Sequence, residues 1–238
     1  MKDRPVLLRE LGELRSIFIR FALVLFALAL FMLSVGTPSI ATHLFTVMKT
    51  SLIPQGVSIV ALGPLSPFIA PISIAFMTAF IISFPYFLFS LMRYIAPALY
   101  DKERRALFIL YFSSVALFFL GCIFAYFILI PYTLATLYSF AGPLGVTPFF
   151  SLDAFIATVF GLTVSTGIAF LVPIIMKVLS SVGLVPAKLW RSHWRVAMIV
   201  IVVFSALITP DGSGVTMAIL SVPLLLLYGA GVLVSSRV

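Results

Sequence analysis

The sequence predicts an all-helical integral membrane protein with six transmembrane helices and both termini in the cytoplasm. Hydrophobic residues make up 63% of the 238-residue chain and charged residues only 9%, which is too little polar surface to cover a soluble globule of this size. Fourteen of the fifteen Lys and Arg residues fall in alternate gaps between the apolar runs. Because Lys and Arg near helix ends are retained on the cytoplasmic side, this alternation places the amino terminus inside.

The basic residues are spread over several short loops instead of forming one patch. Five precede or open the first apolar run, and the successive gaps then hold one, four, none, four, none and one. Retention of these loops and their contact with anionic lipid headgroups account for such a distribution. The net charge of +8 is therefore not a sign of nucleic-acid binding, and no nucleic-acid partner is expected.

The apolar runs and their punctuation set the boundaries of the predicted spans. Ser66 followed by Pro67 is typical of a helix start, Asp153 opens the fourth span, and Pro131 is expected to end the third. Helix bends are expected at Pro85 and, near the inner end of the fourth span, at the proline of residue 173. The spans are 17–35, 67–92, 106–130, 153–176, 196–208 and 215–234, and we expect them to form one membrane domain over 1–238.

The last two spans are short, and the fifth is the shorter of them. Its thirteen residues, 196–208, extend only about 20 Å as a helix, whereas the hydrocarbon core is about 30 Å thick. Local thinning of the bilayer or shielding by neighbouring helices would accommodate this helix. Trp190 and Trp194 are expected to anchor its inner boundary.

The spans carry no ionisable side chain at mid-depth. Ion-coupled transporters normally keep such groups, so their absence argues against a small-solute secondary transporter or permease, which is the alternative interpretation of the chain. Arg20, Arg93 and Lys177 lie near inner ends, where long side chains can reach the interface. Enzymatic activity, a metal and a cofactor are not expected, because the sequence offers no nucleophile with a base partner and no pair of ligands at metal-like spacing.

Two segments at the inner surface resemble TatC, the multispanning receptor component of the twin-arginine protein translocase. Residues 10–15 read ELGELR, similar to the HLxELR lead-in of that family, with Glu10 in place of the histidine. Residues 95–105 read IAPALYDKERR, similar to the first inner loop of the family. Further resemblance lies in Ser66-Pro67-Phe68, Pro54-Gln55-Gly56, Gly121, Pro131 and Thr209-Pro210-Asp211.

In that family the two motif glutamates are implicated in holding the paired arginines of a signal peptide, and they map onto Glu13 and Glu103. The chemistry fits this role, because a guanidinium forms a two-bond fork with a carboxylate that lysine cannot copy. The implied signal-peptide site also includes Arg15, Tyr94, Pro97, Arg104, Arg105 and, more weakly, Glu10.

The resemblance also implies a receptor and scaffold in the plasma or inner membrane that exports folded proteins. The expected partners are twin-arginine signal peptides, single-span proteins of the TatA and TatB types, the lipid bilayer and other copies of the chain. The positions implied in partner contact or structure are Pro67, Phe68, Gly121, Pro131, Val202, Val203, Thr209, Pro210 and Asp211.

Local ion pairs are the alternative interpretation of both glutamates. Glu13 follows Arg9 by four residues, a helical pair worth only about 0.2–0.5 kcal/mol, and Glu103 has basic neighbours in an exposed loop, where pairing contributes little. The sequence also departs from the family at Leu171, where many members carry a glutamate in the fourth span. Since leucine accepts no hydrogen bond, that feature of the family is not expected here.

Overall fold

The computed structural model describes residues 4–36, 39–53, 57–95, 104–141, 143, 145 and 149–236, with side chains from residue 12 onward except at 95 and 104–106. Helices account for most of these residues, which confirms the predicted all-helical class. They are α1 (Arg4–Ser34), α2 (Ile40–Leu52), α3 (Ser66–Ile95), α4 (Arg104–Phe124), a π-helical segment (Ala125–Leu129), α5 (Ile130–Ser139), α6 (Leu152–Ala169), α7 (Val172–Ser181), α8 (Ala187–Ser192), α9 (Trp194–Ile208) and α10 (Val215–Ser235).

Five helical segments in the described ranges are long and apolar enough to cross a membrane, so the chain is a multi-pass membrane protein. The fifth predicted span corresponds to α9, whose 15 residues extend only about 22 Å. The count of six spans and the cytoplasmic termini stay predictions. The five segments are Gly12–Ser34, Ser66–Tyr94, Leu107–Ser139, Leu152–Ser181 and Val215–Ser235.

The third span does not end at Pro131 as predicted. Helix α4 continues through the π-helical segment into α5, and the apolar helix reaches Ser139. The amide of Ile130 donates to the carbonyl of Ala125, five residues earlier, so Pro131 enters in the first turn of α5. A missing amide is tolerated there, and the wider turn relieves the clash that proline causes in a regular helix.

The fourth span is interrupted at Phe170 and Leu171, just before Pro173. The amide of Leu171 donates to the carbonyl of Ile168 at 3.0 Å, a tighter turn than an α-helix makes. Helix α7 then begins with Pro173 in its first turn. Pro85, in contrast, lies inside the continuous helix α3. The bend angles at both prolines stay predictions.

The chain divides into two compact units, of which the first comprises Met1–Val47 and Pro67–Val115. Aromatic side chains hold α1 against α3 in this unit. The ring of Phe21 lies 5.7 Å from that of Phe80 and 5.0 Å from that of Phe87, distances at which aromatic pairs attract each other. Phe89 of α3 and Tyr111 of α4 make a further ring contact at 5.7 Å. These contacts fix the register of α1, α3 and the first half of α4.

The second unit comprises Met48–Ser66 and Ala116–Val238, and its helices approach each other at glycines. A Cβ added to Gly121 of α4 would lie 2.9 Å from both the Cα of Gly167 and the carbonyl oxygen of Thr166 in α6. A Cβ added to Gly231 of α10 would lie 2.6 Å from the sulfur of Met176 in α7. Small residues allow such close crossings, which are typical of helices packed in a membrane.

A small parallel sheet lies at one end of the second unit. Strand β1 (Ser58–Val60) pairs in parallel with β2 (Phe149–Ser151). The hydroxyl of Ser66 donates to the carboxylate of Asp153 at 2.6 Å, and Ser151 accepts from the amide of Ala154 at 3.1 Å as the N-cap of α6. Helix α6 thus begins at Leu152, one residue before the predicted start of the fourth span at Asp153.

Asp211 organises the turn between α9 and α10. Its carboxylate is buried and accepts hydrogen bonds from the hydroxyls of Ser213 and Thr216. Gly214, the residue before α10, has a left-handed backbone with φ of 73°, a conformation that favours glycine. The hydroxyl of Thr209 donates to the carbonyl of Ser205 at 2.9 Å. These contacts support a structural role for Thr209 and Asp211.

The Asp211→Ala variant is expected to lower the free energy of unfolding by about 1.5–3 kcal/mol, because it removes a charged acceptor of two buried hydrogen bonds. Thermal unfolding of the detergent-purified chain measures this loss. Asp153→Ala is the matched control, because its exposed carboxylate accepts a hydrogen bond from Ser66 and should cost less than half as much. Equal losses in the two variants would contradict the structural role.

Candidate functional site

An open groove of about 340 Å³ lies between α1 and α3 within the first unit. Glu13 and Tyr94, two residues of the predicted signal-peptide site, both line it. Helix α1 contributes Glu13, Ser16, Ile17 and Arg20, and helix α3 contributes Tyr86, Phe89, Ser90, Arg93 and Tyr94.

Helical spacing explains why these side chains face one groove. Positions 13, 16, 17 and 20 recur every three or four residues along α1, and positions 86, 89, 90, 93 and 94 do so along α3, so each set shares one helix face. The ring contact between Phe18 of α1 and Phe87 of α3, at 5.7 Å, holds the two faces together nearby. The aromatic packing thus positions Glu13 opposite the last turns of α3.

The groove combines charged, hydroxyl-bearing and apolar side chains. Glu13 is exposed and offers a carboxylate that can accept hydrogen bonds from a guanidinium. Arg20 and Arg93 line the same groove, so its described lining carries one negative and two positive charges. A ligand with two positive charges therefore needs at least one more carboxylate at this site.

Hydrogen-bonding groups in the groove include the hydroxyls of Tyr86, Ser90 and Tyr94. The hydroxyl of Ser16 is engaged locally, because it donates to the backbone carbonyl of Glu13 at 2.7 Å. Within the described ranges, no three His, Cys, Asp or Glu side chains gather closely enough to hold a metal ion. The arrangement suits the binding of a polar peptide segment, with donors, acceptors and charges of both signs.

The structure brings together only part of the predicted site. Glu13 and Tyr94 share the groove, whereas Arg15 is exposed and is not among its lining residues. Pro97 and Glu103 lie outside the described residues. The side chains of Glu10, Arg104 and Arg105 also lie outside the described set, although their backbones belong to α1 and α4. The pairing of Glu13 with Glu103 therefore stays a prediction.

Sequence reasoning missed several lining residues. Arg20 and Arg93 were interpreted as interfacial anchors of their helices, yet they line the groove that contains Glu13. Ser16, Tyr86 and Ser90 were not predicted. The available signal was spacing: Arg20 follows Glu13 by seven residues, or two helical turns, and so lies on the same face.

The positions predicted for partner contact or structure fall into two groups by exposure. Phe68 at the start of α3 and Val203 of α9 are 70% and 52% exposed, and Pro67 and Pro210 are exposed as well. Gly121, Thr209 and Asp211 are buried, while Val202 and Pro131 are half-buried. The exposed group lies at the surface, and the buried group contributes to packing; contact of either group with partners stays a prediction.

Leu171 is buried, with 6% of its surface exposed, at the break between α6 and α7. The nearby hydroxyl of Thr166 is buried and has no hydrogen-bond partner among the described atoms. A carboxylate at this depth would need polar partners, so leucine keeps the interruption of this span apolar.

Comparison with known proteins supports one family. The profile described as Sec-independent protein translocase protein (TatC) matches residues 9–223. The Sec-independent protein translocase protein TatC of Aquifex aeolicus is 36% identical over 191 residues, which cover 79% of each chain. That of Cenarchaeum symbiosum is 34% identical over 199 residues, covering 84% of this chain and 75% of the relative.

The fold agrees with the same assignment. A crystal structure of the twin-arginine translocase receptor TatC superposes with a TM-score of 0.79 and 32% identity, covering 96% of this chain and 98% of that one. A second crystal structure of this receptor, in the detergent DDM, gives a TM-score of 0.78 at 31% identity. The chain therefore belongs to the TatC family and is a component of the Sec-independent, twin-arginine protein translocase.

Proposed function

We propose that this chain is the six-span receptor and core scaffold of the translocase. It binds twin-arginine signal peptides at its cytoplasmic face and recruits TatA-type and TatB-type partners to export folded proteins across the cell membrane. The observation that supports this most is the α1–α3 groove, which Glu13 and Tyr94 both line at the polar ends of two apolar helices.

Charge balance favours a second carboxylate at the same site, and we assign this role to Glu103. The described lining carries one carboxylate and two guanidiniums, so two further guanidiniums from a peptide would meet net repulsion without additional negative charge. Glu103 supplies that charge in our proposal, with Glu10 as a weaker contributor. Arg20 and Arg93 would then orient the neighbouring carboxylates and the polar backbone of the peptide.

The packing of α4 supports this location for Glu103. Phe89 of α3 contacts Tyr111 of α4. Along α3, Tyr94 lies five residues after Phe89, a rise of about 7.5 Å. Along α4, Arg104 lies seven residues before Tyr111, a rise of about 10.5 Å. Because only eight residues of sequence separate α3 from α4, we expect the two helices to run antiparallel. The first residue of α4 thus lies at nearly the same depth as Tyr94, and Glu103 immediately precedes it in the sequence.

Two charged pairs alone do not give tight binding. Hydrogen bonds to charged groups contribute about 1.5–3 kcal/mol each, so two pairs give about 3–6 kcal/mol, short of the ~8.2 kcal/mol for micromolar affinity. The apolar stretch of the signal peptide must therefore dock as well. Phe89, which is 47% exposed, offers apolar surface in the groove. The carboxylates select the motif, and apolar contact adds affinity.

Peptide binding by the full chain in detergent tests this function. A fluorescent twin-arginine signal peptide and its twin-lysine counterpart have equal charge but different geometry, since lysine lacks the planar fork. We expect the lysine peptide to bind at least about tenfold more weakly, a difference of about 1.4 kcal/mol. Equal affinities in an anisotropy titration would overturn the proposal.

The exposed face of α9 is the proposed docking surface for a single-span partner. Ile199, Val203 and Leu207 are 65%, 52% and 81% exposed, and their spacing places them on one face of the helix. Photo-crosslinkers at Val202 or Val203 should capture a TatA-type or TatB-type protein in assembling membranes. The exposed Phe112 of α4 is a matched control position, and absence of a single-span product from α9 would contradict the docking surface.

A further inference from the structure

A second groove, of about 450 Å³, lies between α9 and α10 in the second unit. Its lining includes Arg191, Trp194, Met198, Leu225, Tyr228 and Gly229. Its volume is in the range of pockets that hold small molecules. This α9–α10 groove is separate from the α1–α3 groove that carries the proposed peptide site.

Polarity changes along the groove in one direction. Arg191 lies in α8, just before α9, at the same end as Trp194 and Tyr228. Met198 and Leu225 continue the lining toward the membrane interior with apolar surface. Aromatic residues with a polar edge mark the membrane boundary. From the membrane surface inward, the groove is therefore lined by a cation, then by aromatic rings, and then by apolar side chains. No carboxylate belongs to the described lining.

Hydrogen bonds hold the wall of the groove in place. The hydroxyl of Tyr228 in α10 donates to the backbone carbonyl of Trp190 at 2.6 Å. The indole nitrogen of Trp190 in turn donates to the hydroxyl of Ser180 in α7 at 3.0 Å. Helices α7, α8 and α10 are thus tied together at the charged end. A fixed wall lowers the ordering cost of a bound ligand.

Open space and an available cation complete the site. A Cβ added to Gly229 would meet no atom within 4 Å, so this glycine leaves room beside α10. The guanidinium of Arg195 lies 5.7 Å from the ring centroid of Trp194, in the range of a cation–π contact. Arg191, in contrast, lines the groove itself. An anionic group at the mouth would therefore meet Arg191 first.

We propose that the α9–α10 groove binds one phospholipid with an anionic headgroup. The headgroup phosphate accepts hydrogen bonds from Arg191, and an acyl chain lies along Met198 and Leu225 in the space beside Gly229. If the chain has the orientation of the proposed function, the Arg191 end of the groove lies at the cytoplasmic surface, and the lipid belongs to the cytoplasmic leaflet. Lipid binding itself does not depend on that orientation. Such a lipid fills the space beside the short helix α9, whose length leaves a mismatch with the bilayer.

Fluorescence quenching tests this site, because the chain has only two tryptophans and Trp194 lines the groove. The full chain is reconstituted in vesicles of phosphatidylcholine with brominated acyl chains, which quench tryptophan on contact. Unbrominated phosphatidylglycerol is then added, and recovery of emission reports its affinity relative to phosphatidylcholine. We expect a preference of about fivefold, since one basic residue near the surface attracts an anionic lipid by about that factor.

Two pairs of variants separate a built site from general surface charge. Arg191→Gln should abolish the preference for phosphatidylglycerol, whereas Lys188→Gln removes an equal, exposed charge outside the groove and should retain it. Gly229→Leu should fill the groove, and so reduce both the quenching by brominated phosphatidylcholine and the recovery of emission on adding phosphatidylglycerol. Ala230→Leu, on the exposed neighbour, should leave quenching as in the unmodified chain.

Several outcomes would overturn the lipid site. The first is an equal loss of the preference for phosphatidylglycerol in the Arg191→Gln and Lys188→Gln variants. The second is unchanged tryptophan quenching in Gly229→Leu. The third is loss of the preference for phosphatidylglycerol when inorganic phosphate alone is added. A change of oligomeric state in Gly229→Leu with unchanged lipid quenching would instead assign the groove to a second copy of the chain. Twin-arginine peptide binding is measured on the same variants and should be unchanged, which keeps this test independent of the proposed receptor function.

Discussion

The Gly121→Leu variant is expected to lose most of its folded population in detergent. A Cβ at this position would lie 2.9 Å from the Cα of Gly167 and from the carbonyl oxygen of Thr166. These are backbone atoms, so relief requires α4 and α6 to move apart. Overpacking a well-packed core costs about 1–3 kcal/mol, occasionally more, and we expect a loss of about 3 kcal/mol or more because the whole leucine side chain must be accommodated.

Gly161→Ala is the matched control for this prediction. Gly161 also lies in a helix, α6, but a Cβ there would meet nothing within 4 Å. Replacing such a glycine by alanine removes backbone freedom from the unfolded chain and should stabilise by about 0.4–1 kcal/mol. The measurement is the folded fraction after heating, followed by size-exclusion chromatography. A Gly121→Leu variant as heat-resistant as the unmodified chain would show that this crossing is not closely packed.

The Glu103→Ala variant is expected to lose twin-arginine peptide binding, and Glu13→Ala to weaken it. Each change removes one carboxylate from the proposed peptide site, whose described lining already has an excess of positive charge. A lost charged hydrogen bond costs about 1.5–3 kcal/mol, or roughly 10- to 150-fold in affinity. Either variant leaves Arg20 and Arg93 with a single motif carboxylate to offset them, and we assign the larger loss to Glu103→Ala.

Asp153→Ala controls for the loss of negative charge, since Asp153 lies in the second unit and bonds to Ser66. It should leave peptide affinity within about twofold, a difference of about 0.4 kcal/mol. Anisotropy titrations of the purified variants measure all of these effects. Unchanged affinity in both glutamate variants would remove the basis of the proposed recognition.

Much of the fold follows from hydrophobic pattern alone. The long apolar runs predicted six spans, and five segments in the described ranges are long and apolar enough to cross a membrane, because about twenty apolar residues in succession span the hydrocarbon core. Pro131 shows the limit of this reasoning. Proline does not fit inside a regular α-helix, but the π-helical segment Ala125–Leu129 lets the helix continue past Pro131. Such a segment is not predicted by the local sequence.

The candidate site was predictable in its acidic residue and not in its basic ones. Glu13 stood out because it lies in the ELGELR segment that resembles the lead-in of the TatC family. Arg20 and Arg93 matched the ordinary pattern of interfacial anchors, and only the packing of α1 on α3 places them in one groove. The close approach at Gly121 was likewise invisible, since sequence alone does not show which helix faces a glycine.

The most direct test of the central claim is a double-mutant cycle between the chain and its peptide. Glu13→Gln and Glu103→Gln are each combined with peptides in which the first, the second or both arginines are replaced by lysine. We predict that each glutamate couples to one arginine by at least about 1 kcal/mol. Additive losses, with no coupling between either glutamate and either arginine, would contradict the claim that the two carboxylates hold the arginine pair.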